Sequence, residues 1–103
     1  MSEITRGTTP TLPFYFSVID VSKIVTATMT IKQDDSQIVK KTLETAEVGD
    51  DYIQWNLTQE ETLLLDEKLY CQIQCKYKLE DGTVSSSRIY NVPASDILDE
   101  VVM

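Results

Sequence analysis

Apolar and polar residues alternate along three stretches of the chain, and a period of two marks strands with one buried face. In KIVTATMTIKQ, residues 23–33, Val25, Ala27, Met29 and Ile31 fall on one face. Thr26, Thr28, Thr30 and Lys32 fall on the other. YIQWNL, 52–57, groups Ile53, Trp55 and Leu57. The single Trp is therefore expected at the centre of the core. KLYCQIQCKYKL, 68–79, sets Leu69, Cys71, Ile73, Cys75, Tyr77 and Leu79 against Tyr70, Gln72, Gln74, Lys76 and Lys78.

Shorter signals fill the intervals. TLPFYFSV begins the strand series, with Phe14 and Phe16 on one face and Tyr15 on the other. Pro13 has no N–H to donate, which assigns that strand to a sheet edge. Asp34-Asp35-Ser36 is turn chemistry, so QIVKKTL returns as a hairpin partner. ETAEVGDD reads as a loop with room for a short edge strand. Thr58 followed by Glu61 forms a capping box and predicts one helical turn over 59–65, with Leu63, Leu64 and Leu65 as an apolar lid. Asp81-Gly82 is a hairpin turn leading into TVSSSRIYNV, a last long strand that Pro93 is expected to stop. SDILDEVVM fits a helical turn or a weak strand, and periodicity does not choose between them.

Six or seven strands, one helical turn and turns at roughly ten-residue spacing predict an all-β protein. The expected fold is a single immunoglobulin-like antiparallel β-sandwich. A two-sheet meander is the alternative. The expected organisation is an extended arm over 1–10, the sandwich over 11–93 and an acidic tail over 94–103.

Composition narrows the function classes. A formal charge of -8 and scattered basic residues argue against a phosphate-backbone or anionic-membrane partner. No apolar run approaches the roughly 20 residues of a membrane span. Met1-Ser2-Glu3 is not basic and no apolar segment follows, so the chain is expected in the cytoplasm without a signal peptide.

The chemistry is sparse. The chain has no His, which excludes Ser-His-Asp and Cys-His catalysis and His-ligated metals. Cys71 and Cys75 are four apart on one predicted strand, so their Cα atoms lie about 13 Å apart. A disulfide needs less than about 7 Å, so both are expected as buried, inert thiols. The acidic pairs fall in loops as solvated charge, with a calcium site near 34–35, 49–51 and 80–82 as the sharper alternative. No enzyme activity, cofactor or small-molecule substrate is implied. Arg88, with Tyr90 on its face, is either paired with a neighbouring acid or an interface anchor. Tyr70 is a further exposed aromatic of the same class.

TRGTTPTLPFYF at 5–16, Gln33 at a strand end, LTQEET at 57–62 and the strand with an Asp-Gly turn at 72–82 form a combination. It resembles small proteins encoded in tail or baseplate gene clusters of prophages from Gram-positive bacteria. The resemblance implies a bacteriophage structural or accessory protein acting through protein–protein contacts, in the virion or in its assembly. Its partners would be other phage structural proteins or further copies of itself, as a homo-oligomer. In that setting Arg6, Gly7, Thr8, Thr9 and Pro10 form an arm reaching a neighbouring subunit, or an ordinary edge strand on their own domain. Arg6 would offer its fork to a carboxylate, and Gly7 would permit close backbone approach. A carbohydrate- or cell-surface-binding β-sandwich module is the second reading.

Overall fold

In the computed structural model, which describes residues 3–103, the two longest alternating runs pair along most of their length. These are β3 (Ile24–Gln33) and β7 (Tyr70–Leu79), antiparallel, with Ala27 opposite Tyr77, Met29 opposite Cys75 and Ile31 opposite Ile73. A tight turn returns β3 into β4 (Ser36–Thr42). On its other side β7 takes β8 (Val84–Ser86) and β9 (Tyr90–Ser95). β9 then carries β1 (Ile4–Thr5) in parallel. The second sheet has the order β2 (Thr11–Tyr15), β6 (Tyr52–Asn56), β5 (Glu47–Val48). Because β3 lies beside β7 and β2 lies in the other sheet, the chain is a crossed-over sandwich and not a meander.

The inner faces meet in one core. Leu12, Phe14, Ile53 and Trp55 from the small sheet pack with Met29, Ile31, Cys71, Ile73 and Cys75 from the large one. Trp55 is fully buried, and its Nε1 donates to the Thr42 carbonyl at 2.8 Å. That bond satisfies the one polar atom of the largest core residue. α1 (Gln59–Leu63) starts at the expected capping box.

Several expectations are corrected. Val25 is 53% exposed, because Ile24 pairs with Leu79 and Thr26 with Lys78, leaving Val25 as the extra residue of a bulge. Leu65 is buried, but Leu64 projects outward. The last strand is broken, because residues 87–89 bow out between β8 and β9. Pro93 lies within β9 and does not stop it. Two short 3-10 turns, Val21–Lys23 and Leu43–Thr45, join the single expected helical turn.

The termini also belong to the domain. Ile4 is fully buried and pairs with Ala94, so residues 4–6 form an edge of their own sandwich and not a free arm. Met1 and Ser2, the start of the expected arm, lie outside the described residues. Residues 96–103 form neither the helical turn nor the strand considered for them. Two bonds between Gln59 and Met103 hold their end.

Candidate functional site

A cleft opens where β2 and β9, edge strands of opposite sheets, face each other. Its origin lies at Ser87. There the backbone N–H bonds the Cys75 carbonyl at 2.8 Å, and the Ser87 hydroxyl accepts from the Cys75 N–H at 3.0 Å. A side chain thus replaces the next ladder carbonyl, and the chain bows outward to place Arg88 and Ile89 at the rim. Because β1 covers only Ala94 and Ser95, the front half of β9 stays open.

Aromatic and cationic groups line this opening. Arg88 lies over the Tyr90 ring, 4.7 Å from its centroid. Tyr90 packs edge-on against Phe14 at 6.1 Å, and Phe14 against Trp55 at 5.8 Å, so the rim is anchored to the core. The main groove encloses about 640 Å³ between Leu12–Tyr15 and Arg88–Val92. A smaller recess of about 230 Å³ continues past Phe16 and Tyr77. Among the described residues, no carboxylate lies within 4.0 Å of the Arg88 guanidinium. Its charge is held by an aromatic face and solvent, and its hydrogen-bond donors remain available.

Both open edges resist strand addition. Leu57 donates to Pro10 and Phe16 to Asp51, which fixes the phase of β2 against β6. Residues 11, 13 and 15 therefore point their backbone groups outward, and Pro13 leaves no donor at the middle of that edge. Arg6 donates to Ser95 on the outer side of β9, so Pro93 also turns its missing N–H outward. The long edge of β4 carries a bulge at Ile38 together with Lys40 and Lys41. These devices oppose edge-to-edge pairing.

The structure brings Arg88 and Tyr90 together but separates the other predicted contact residues. Arg6 is only 15% exposed at its side chain, because it serves its own fold. It donates to the Leu65 and Leu63 carbonyls at 2.7 and 3.0 Å and pairs with Asp96 at 2.7 Å and Glu100 at 3.2 Å. The Asp96 bond, with help from Glu100, raises the guanidinium pKa against the opposing cost of burial. Gly7 turns the chain at φ +76°. Thr8 bonds Thr5 and accepts from Thr62, and Pro10 accepts from Leu57. Of these five residues only Thr9 is exposed. Tyr70 stands on the outer face of the large sheet, beside Asp34, Asp35, Gln72 and Asn91.

Cys71 and Cys75 are fully buried on one face of β7. Burial pushes their thiols up to about 11 and about 12, where little thiolate forms at neutral pH. Among the described residues, no three acidic or thiol groups gather in a metal-binding arrangement. Gln33, named in the sequence only as a motif residue at a strand end, and Ser87 take structural roles that sequence reasoning did not assign. Gln33 stands in phase with Ala27, Met29 and Ile31, and a polar residue in an apolar register was its available signal. Ser87 carried no local signal.

No family model and no curated protein matches the chain. Among solved structures it is similar to the immunoglobulin-like domain of mouse leukocyte-associated immunoglobulin-like receptor 1, crystallised as a strand-swapped dimer. The TM-score is 0.51, with 14% identity, over 89% of this chain and 84% of that one. At that identity the likeness shows the fold alone. The chain is an all-β, immunoglobulin-like sandwich.

Proposed function

We propose that this chain is a non-enzymatic phage structural or accessory protein of the tail or baseplate type, binding a protein partner through the Arg88–Tyr90 cleft. The carrying observation is Arg88 itself: exposed, with no carboxylate partner among the described residues, stacked on Tyr90 at the mouth of a groove floored by the core residues Leu12, Phe14, Ile73 and Val92. Arg and Tyr in such a setting are the residue types that dominate protein interfaces. The phage setting rests on the sequence resemblance. In this reading the chain is made in the cytoplasm and built into the particle. The similar receptor domain is a strand-swapped dimer, which supports a second copy as one partner. Pro13 and Pro93 favour a copy that docks by side chains over one that exchanges strands.

The test is mass spectrometry of purified particles from an induced lysogen carrying the gene, as wild type and as Arg88→Glu. Wild-type chain in fixed stoichiometry, with the folded variant missing from particles, is the expected result. Particles lacking the wild-type chain, or incorporating the variant equally, overturn the reading. Retention of the free protein on cell walls instead would favour the carbohydrate-binding alternative.

A further inference from the structure

The outer face of the large sheet has a charge opposite to that of the molecule. Strand registers place Thr30 between Lys40 and Gln74, Lys32 between Gln37 and Gln72, and Lys76 opposite Thr28. Lys78 continues the pattern opposite Thr26. Four of the nine basic residues thus stand exposed on one face of a chain whose net charge is -8. A shallow groove of about 380 Å³ runs over Lys32, Lys40 and Lys76, and Asp35 is the only carboxylate among the described residues of its lining. Among the described residues, none of the four lysines has a carboxylate within 4.0 Å. Lys41, next to Lys40, is different: it turns away and pairs with Glu61 at 2.9 Å.

We infer that this face is a second binding surface, for a carboxylate-bearing polypeptide. The lattice favours that partner over a nucleic acid. Same-face residues repeat at about 7 Å along a strand and about 5 Å between strands, which suits carboxylate side chains laid across a flat sheet. Thr28, Thr30, Gln72 and Gln74 add neutral donors and acceptors between the charges. No arginine fork lines the groove to grip phosphates, and no aromatic ring lines it to stack bases. The loops at the two ends of the strands carry Asp34, Glu67, Glu80 and Asp81, which repel a long polyanion but spare a short acidic segment. Potentials that match across an interface in this way set specificity and encounter rate.

The experiment uses the full chain, isotope-labelled, titrated with a decapeptide of alternating Glu and Gly at about 50 mM salt, where surface charge is weakly screened. Amide shifts centred on Thr28, Thr30, Gln74 and Lys76 are expected. They should shrink with added salt, be absent with the Gln-Gly peptide, and weaken about tenfold in Lys40→Glu/Lys76→Glu. Lys40→Gln/Lys76→Gln provides the same comparison without added repulsion. Shifts centred on Lys23 or Lys68, or none at all, overturn the assignment. A stronger response to a single-stranded DNA decamer overturns it in favour of nucleic acid. Self-association that sedimentation detects and the lysine variants abolish would assign the face to a second copy instead.

Discussion

Gln33 and Asp66 bond each other twice. The Gln33 Nε2 donates to the Asp66 carbonyl at 2.9 Å, and the Asp66 N–H donates back to Gln33 Oε1 at 2.8 Å. The second Nε2 proton reaches the Leu69 carbonyl at 3.2 Å. One buried amide, 2% exposed, therefore fastens the end of β3 to the segment between α1 and β7. The segment also holds itself, since the Leu69 N–H donates to the Asp66 carbonyl at 3.1 Å, but the Asp66 N–H relies on Gln33.

Replacing Gln33 with Leu keeps the volume but orphans the Asp66 N–H and takes one bond each from the Asp66 and Leu69 carbonyls, the first of which still accepts from the Leu69 N–H at 3.1 Å. Each buried unsatisfied group costs about 1–3 kcal/mol, and partial rehydration returns some of that. The expected loss is about 1–3 kcal/mol in urea unfolding followed by the fluorescence of the single Trp55. A loss under about 0.5 kcal/mol would show that water satisfies the segment and that Gln33 is dispensable.

The inner faces were legible because burial on one side of a strand repeats every second residue, as Met29, Ile31, Cys71, Ile73 and Cys75 show. The misread residues are those where that period slips or where the partner is remote. Val25 fell on the wrong side because a bulge shifts the phase, and nothing local announces it. Arg6 looked free because its partners, Asp96 and Glu100, are 90 and 94 positions away, and parallel pairing of β1 with β9 leaves no trace near residue 6. Arg88 and Tyr90 were recognisable as interface residue types. Their cleft was not, since it depends on Ser87 taking over a ladder position.

The β3–β4 turn stores strain that a single substitution relieves. Asp34 and Asp35 both have positive φ, 50° and 66°, as a two-residue hairpin of the primed kind demands. Asp tolerates this region at a cost that Gly does not bear. Asp35→Gly is expected to raise stability by about 0.5–1 kcal/mol, visible as a higher Tm. Asp35→Ala should lower it. If Gly also lowers it, the Asp35 side chain contributes more than its backbone costs. Removing this carboxylate should also tighten acidic peptide on the lysine face, which gives the variant a second readout.

Glu61 ties the helix start to the large sheet, and it makes stability depend on acid pH. Its carboxylate accepts from the Thr58 N–H at 2.8 Å and from Lys41 Nζ at 2.9 Å. Partial burial pushes its pKa up, but the Thr58 and Lys41 bonds outweigh that and hold it below the ordinary 4.5. A carboxyl depressed in the fold stabilises fully above its unfolded pKa and ceases to do so as pH falls through the folded value. Glu61→Ala should therefore cost about 1 kcal/mol at neutral pH, the usual scale of a lost cap. Thermal melts of the variant and the wild type should draw together as pH drops below 4.5, because protonation removes from the wild type what the substitution has already removed. Asp20, Asp81 and Asp96, also depressed, act in both proteins and cancel from the difference. A gap that stays constant down to the acid transition would mean that Glu61 acts by packing and not by charge.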